Sequence, residues 1–269
     1  MSDSPSLRKV AALLKCILRG TPLIGDLPEA NHFSRSSLSY PKEIPELNLQ
    51  QKLGHLFEDT LASLITASDQ LELFEQGLQL RDEDLKTVGE LDFLIKDHKA
   101  RTLIHLELAT KFYLAVNTAN GFALPGPDAR DNYYRKLARM REHQLRLPVK
   151  FRDCLPAQYK NTLIETQQLV FGCLFDHIDA SKTFTPEFAR EDCRRGKWLH
   201  QSDCDRYFCS NSRFEIIPKA LWPVPFEFLE TIELKAWAPS KPIDRCLMVR
   251  ANKEFTPFFI APAGYPSRN

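Results

Sequence analysis

The order of elements along this chain predicts an α/β (α+β) fold in which a mixed central sheet is flanked by helices. Three observations lead there. Leu53, Leu56, Phe57, Leu61, Leu64 and Ile65 recur at three- and four-residue steps, the stripe of an amphipathic helix. Three segments of strand character follow it: LELFEQGLQLR (71–81), VGELDFLI (88–95) and TLIHLELATKFYLAV (102–116). A basic stretch of helical character, DARDNYYRKLARMREHQLR (128–146), comes next. Helix, three strands, helix is not the regular alternation of a doubly wound sheet.

The remaining elements are read in order. Residues 7–19 form a short amphipathic helix, and TPLIGDLPEANHFSRSSLSYPKEIP is an irregular arm rich in Pro, Ser and Asn. Gly77 marks a bulge or turn within 71–81. KDHKAR (96–101) is charged and short, which suits an antiparallel hairpin. NTANGFALPGPDA is a loop, and Asp128 or Asp131 caps the helix that follows. A second helix is expected over 157–169, leading into the short strand VFGCLF, with later strands at 225–237 and 245–251. The chain reads as a single domain, 1–269. Its core is about 49–180, preceded by a helix and arm (1–48) and followed by a C-terminal extension (181–269) that Trp198, Trp222 and Trp237 anchor to the core.

Hydrophobic content of 43% with 26% charged residues excludes a disordered or fibrous chain. A net charge of +1 supplies no global field for a polyanion, so any nucleic-acid surface must be a local patch. The early run VAALLKCILRG, broken by Lys15 and Arg19, is too short to span a bilayer and lacks a small-residue cleavage site. A cytoplasmic protein with no membrane partner is expected. The seven cysteines read as reduced, mostly buried thiols. Cys193, His200, Cys204 and Cys209 lie within seventeen residues, but the tight CxxC pairs of structural zinc sites are missing.

The candidate chemistry lies in the hairpin. Residues two apart on a strand share a face, which groups Glu90 with Asp92, and His105 with Glu107, Ala109 and Lys111. Pairing around KDHKAR brings Asp92 near Glu107. Two adjacent carboxylates repel unless a cation lies between them. Mg²⁺ (or Mn²⁺) suits such a site, because it takes a few hard oxygen ligands and keeps several waters.

These residues carry a resemblance. An acid-bearing hairpin preceded by a helix with Glu58 (LGHLFEDTLASL) and followed by a basic helix resembles the PD-(D/E)xK nuclease-like fold, with its restriction-endonuclease-like core. GELDFLI…HLELATKFYL and GPDARDNYYRKLARMREHQLRL look like the DUF1853 family, itself assigned to that superfamily. The likeness implies that Glu58, Asp92 and Glu107 fall on metal-binding positions and that Gln144 matches a glutamine of RecB-like members. One position departs from the pattern: Ala109 stands where a lysine is usual. The nearest lysine, Lys111, lies four residues beyond Glu107, about 13 Å along a strand rather than about 7 Å.

The expectation is therefore a Mg-dependent nuclease acting on DNA or RNA. Asp92 and Glu107 hold the ion, Glu58 assists, and Lys111 positions the nucleophile. Lys136, Arg139, Arg141 and Gln144 contact nucleic acid. The alternative is an inactive nuclease-fold protein that binds nucleic acid or a protein partner, which Ala109 favours. Plainer readings stand beside these. The acids could line a wet sheet face, Lys111 could be a strand-end lysine reaching solvent, and Glu90 could be a surface residue. His105 reads best as a hydrogen-bonded structural histidine. Arg135, Arg139 and Arg146 form a solvated stripe, with Glu142 paired to Arg146.

Overall fold

A computed structural model describes residues 4–119 and 121–267. The chain opens with α1 (Pro5–Arg19), whose start is capped by the Ser4 hydroxyl accepting from the Leu7 N–H. There follow β1 (Asn31–His32), α2 (Leu53–Thr66), β2 (Leu71–Arg81), β3 (Thr87–Asp97), β4 (Thr102–Leu114), β5 (Val116–Thr118) and β6 (Gly121–Ala123). The second half holds α3 (Tyr133–Glu142), α4 (Leu147–Lys150), β7 (Ile164–His177), β8 (Arg195–His200), α5 (Cys204–Tyr207), β9 (Phe214–Ile216), β10 (Lys235–Trp237), β11 (Leu247–Ala251) and β12 (Pro257–Ala261).

One mixed sheet organises the molecule, in the order β10-β9-β11-β12-β8-β7-β4-β3-β2, with β1 added alongside β7. The β2–β3–β4 meander is antiparallel, whereas β4, β7, β8 and β12 run parallel to one another, and β12 pairs antiparallel with β11. The strands after residue 181 thus extend the same sheet as the hairpin. Trp198 on β8 ties this part to the hairpin half by donating its indole N–H to the Ala115 carbonyl, 2.9 Å away.

Side-chain alternation sorts the core into two layers. Ile104, Leu106 and Leu108 of β4 join Leu169, Phe171 and Phe175 of β7 against α1 and α2. On the opposite face Tyr113, Val170 and Leu174 pack on Tyr133, Met140 and Leu145. Leu94 and Leu103 meet Leu147 and Tyr159 there. Burying such surface at roughly 25 cal/mol per Å² is what holds the layers together.

Four sequence expectations are corrected. The helix over 157–169 does not form, because Ile164 already begins β7. The next residues, Glu165, Thr166 and Gln167, are polar and at most partly covered, so they show no apolar alternation, while the buried run VFGCLF is a strand as read. The segment 225–237 is mostly irregular: Pro225 leads into a single 3-10 turn, Phe226–Phe228, and only Lys235–Trp237 pairs. The basic helix is shorter than 128–146. Its cap is Asn132, whose Oδ1 accepts from the Tyr134 and Arg135 N–H groups, and Gln144–Arg146 forms a 3-10 turn beyond it. The extra residue in β2 is Phe74, between Leu73 and Glu75, and no register shift falls at Gly77, which adopts φ +66°. The 71–81, 88–95 and 102–116 strands, the charged hairpin and the 245–251 strand are present much as read.

Gly172, opposite Lys111 in the β4–β7 ladder, is required by close approach. A Cβ there would overlap the Lys111 carbonyl oxygen.

Candidate active site

The site arises where two strands part. β3 and β4 pair from Asp97–Thr102 as far as Phe93–Leu106, and Asp92 is the next residue beyond that last pair. Its carboxylate takes over from the backbone ladder: Oδ2 accepts the Leu108 N–H at 2.9 Å. Glu107 sits just past the same point on β4 and is 2% exposed. The Gln144 amide, arriving from the 3-10 turn after α3, donates to Glu107 Oε1. Glu107 Oε2 is buried without a protein partner.

Glu58 approaches from α2. It is half-buried and 3.2 Å from the ring Nδ1 of His55, one turn earlier on its helix. The acids feel one another. Burial pushes the Asp92 carboxyl up to about 7, with the Glu58 and Glu90 charges adding to the shift and the Leu108 N–H opposing it. Burial also drives Glu107 well above the carboxylate range, and Asp92 and Glu58 raise it further against the pull of Gln144 and Lys111. Four acids from α2, β3 and β4 thus share one field, and exposed Glu90 is among them. The plain reading of acids scattered on a wet face does not describe Glu107.

This donor set fits a divalent cation. Two buried carboxylates that repel, one with an oxygen left unpartnered, are relieved by a positive ion between them. Among the described residues no three His, Cys, Asp or Glu side chains form a ready-made metal cage. Asp92 and Glu107 would supply two ligands, leaving the rest to water and substrate, the habit of Mg²⁺. Such an ion would supply charge neutralisation and an activated water.

The other candidates are distributed as follows. Lys111 shares the Glu107 face, close enough to lower its pKa, but its ammonium lies 3.5 Å from Asp131 Oδ2. Asp131, read as a helix cap, serves as that lysine's counter-ion. Arg141 is committed to Glu29 through two hydrogen bonds of 2.8 and 3.0 Å, and its guanidinium lies 4.6 Å from the Phe188 ring centroid. Arg146 also faces Glu29, at 4.0 Å, rather than taking Glu142 as its predicted partner. Gln144, expected to touch nucleic acid, donates its amide to the Glu107 carboxylate. Lys136 is half-buried and Arg139 exposed along α3.

His105 departs from expectation most. It is fully buried, both ring nitrogens lack a protein partner, and burial alone lowers its pKa to about 4, which keeps it neutral. Cys193 and Cys204 lie in separate apolar clusters and their thiols are pushed up by burial, so the Cys193/His200/Cys204/Cys209 grouping is not drawn together.

Sequence reasoning missed Glu29, the counter-ion role of Asp131, and, on the strands beside Glu107, His32 and Gln168. The last two stand in register with Glu107: Glu107 pairs with Gln168 across β4–β7, and Gln168 with His32 across β7–β1. Nothing in the sequence announces a parallel partner sixty residues away.

A family model described as "Domain of unknown function (DUF1853)" matches residues 28–261. No curated protein and no solved structure matches the chain. No helix among the described residues is long and apolar enough to cross a membrane.

Proposed function

Since this chain belongs to the DUF1853 family, whose description assigns no activity, we propose from its own residues that it is a metal-dependent nuclease with a PD-(D/E)xK-like site. The observation that carries the reading is the meeting of Asp92 and Glu107 at the strand fork, where burial raises both carboxyls, the Glu58 charge adds to each shift, and the Asp92 charge raises Glu107 further. Strongly perturbed acids gathered in one place mark a candidate functional site.

In this reading Asp92 and Glu107 hold a Mg²⁺ or Mn²⁺ ion, which would neutralise charge developing on a phosphodiester and lower the pKa of a water. Gln144 fixes the Glu107 carboxylate by its hydrogen bond to Oε1. Glu58 adds negative charge at the mouth and a lone pair for a metal-bound water. Lys111, held by Asp131, presents a positive charge on the same face. Lys136 and Arg139 on α3 are the cations available to the phosphate backbone. DNA or RNA is the substrate, and the seven free thiols accord with a cytoplasmic setting.

The test is cleavage of plasmid and oligonucleotides with Mg²⁺ or Mn²⁺. Loss of activity in Asp92→Ala and Glu107→Ala supports the assignment, and full activity in either variant removes it. A second reading has its own support: Ala109 occupies the usual lysine position, and Lys111 is engaged by Asp131. A protein that has lost turnover would bind nucleic acid in a salt-dependent manner without metal-dependent cleavage.

A further inference from the structure

Seven buried side-chain nitrogen or oxygen atoms among the described residues lack a protein hydrogen-bond partner. Five of them lie together: both ring nitrogens of His105, Glu107 Oε2, Gln168 Oε1 and His32 Nδ1. Glu107, Gln168 and His32 are in register across β4, β7 and β1, and His105 lies two residues before Glu107 on the same face. Leaving a buried polar atom unmet forfeits its hydration with nothing in return, so such atoms are sparse in an ordinary core. Their clustering beside one carboxylate points to a built polar seam.

Within that seam one contact is nearly made. His105 Nε2 lies 4.0 Å from Glu107 Oε2, beyond hydrogen-bond range by about 1 Å. A small side-chain rotation closes such a gap. A neutral imidazole carries one N–H and one lone pair, so it can face either a carboxylate or a carboxylic acid. Gln144 already occupies the other oxygen of Glu107. The ring's direct cross-strand neighbours are Leu94, which offers nothing polar, and Thr166, whose hydroxyl is the competing partner.

We propose that His105 is a positioning residue for Glu107: its Nε2 engages Oε2, so the carboxylate is gripped at both oxygens and aimed into the fork. The inference rests on the metal-site reading for its purpose, but not for its geometry. An outer partner of this kind fixes a ligand's orientation, and removing it weakens metal binding roughly 10- to 100-fold.

The full chain, labelled with ¹⁵N-histidine and kept free of metal, tests the contact directly. The expected result is that Glu107→Ala moves the His105 Nε2 resonance, whereas Thr166→Val does not. An unmoved resonance, or one that follows Thr166 instead, overturns the proposal. Calorimetric titration with MnCl₂ tests the purpose. His105→Leu should weaken binding at least 10-fold, and His105→Gln, whose amide reaches the Nε2 position, should recover most of it. Equal losses in the two variants contradict a positioning role. A resonance that responds to Glu107 in a chain that binds no Mn²⁺ sinks the metal reading and leaves the contact standing.

Discussion

Replacing Asp92 by Asn should stabilise the metal-free protein at alkaline pH and flatten its pH dependence. The Asp92 carboxyl moves from 3.8, its ordinary value, to about 7 in the fold. An acid whose folded pKa is raised favours folding in its protonated form. That contribution is fully present below pH 3.8 and is lost as pH climbs through 7. The whole step is worth ~4 kcal/mol at 1.36 kcal/mol per pH unit, and more than half of it falls between pH 5 and pH 8. Asn keeps a carbonyl oxygen for the Leu108 N–H, so the variant removes the charge while preserving the contact. Urea unfolding in EDTA at the two pH values, for both proteins, isolates the effect as a difference of differences, because the other titrating groups cancel. The variant should gain about 2 kcal/mol on the native protein between pH 5 and pH 8. A difference near zero, or a native chain that loses relative stability toward acid, would refute the description of Asp92 as a buried, repelled acid.

Other outcomes follow from the same geometry. Gln144→Leu leaves Glu107 Oε1 without its donor and should weaken Mn²⁺ binding roughly tenfold by calorimetry, with little change in fold by circular dichroism. Lys136→Ala combined with Arg139→Ala should lower nucleic-acid affinity and reduce the salt slope by about 2, one step per phosphate contact. Arg141→Met should instead lower the melting temperature and leave that slope unchanged, because Glu29 and Phe188 occupy its guanidinium. Gly172→Ala sets a methyl group against the Lys111 carbonyl and should destabilise the chain by about 3 kcal/mol in urea titration.

What the sequence made legible was local. The α2 stripe, the three antiparallel strands and the charged turn each carry a period or a turn signal that neighbouring residues enforce. The nearness of Asp92 to Glu107 also followed once the hairpin was assigned, because a two-residue repeat fixes which side chains share a face, whereas Glu58, on a helix, entered through the family resemblance. The fork itself was not legible. It depends on β3 leaving β4 after Phe93, an event set by the packing of the meander and by Asp92 taking the Leu108 N–H. Only the start of β7 was misread as helix, because its polar, at most partly covered residues Glu165, Thr166 and Gln167 show no alternation, whereas the buried run VFGCLF was read as a strand. Arg141 and Lys111 look like free cations in sequence. Their counter-ions, Glu29 and Asp131, sit in irregular segments whose placement only the assembled sheet determines. His105 shows the opposite failure: its setting invites the reading of a satisfied core histidine, yet no protein atom satisfies it.

The central claim is that a divalent ion binds between two carboxylates on parting strands. Crystals of the full chain soaked in MnCl₂, with data collected at the manganese absorption edge, test it most directly. An anomalous peak within coordination distance of both Asp92 and Glu107, absent from Glu107→Gln crystals, is the predicted result. A native map with no peak there, or with manganese bound elsewhere while these two oxygens stay protonated and apart, would contradict it.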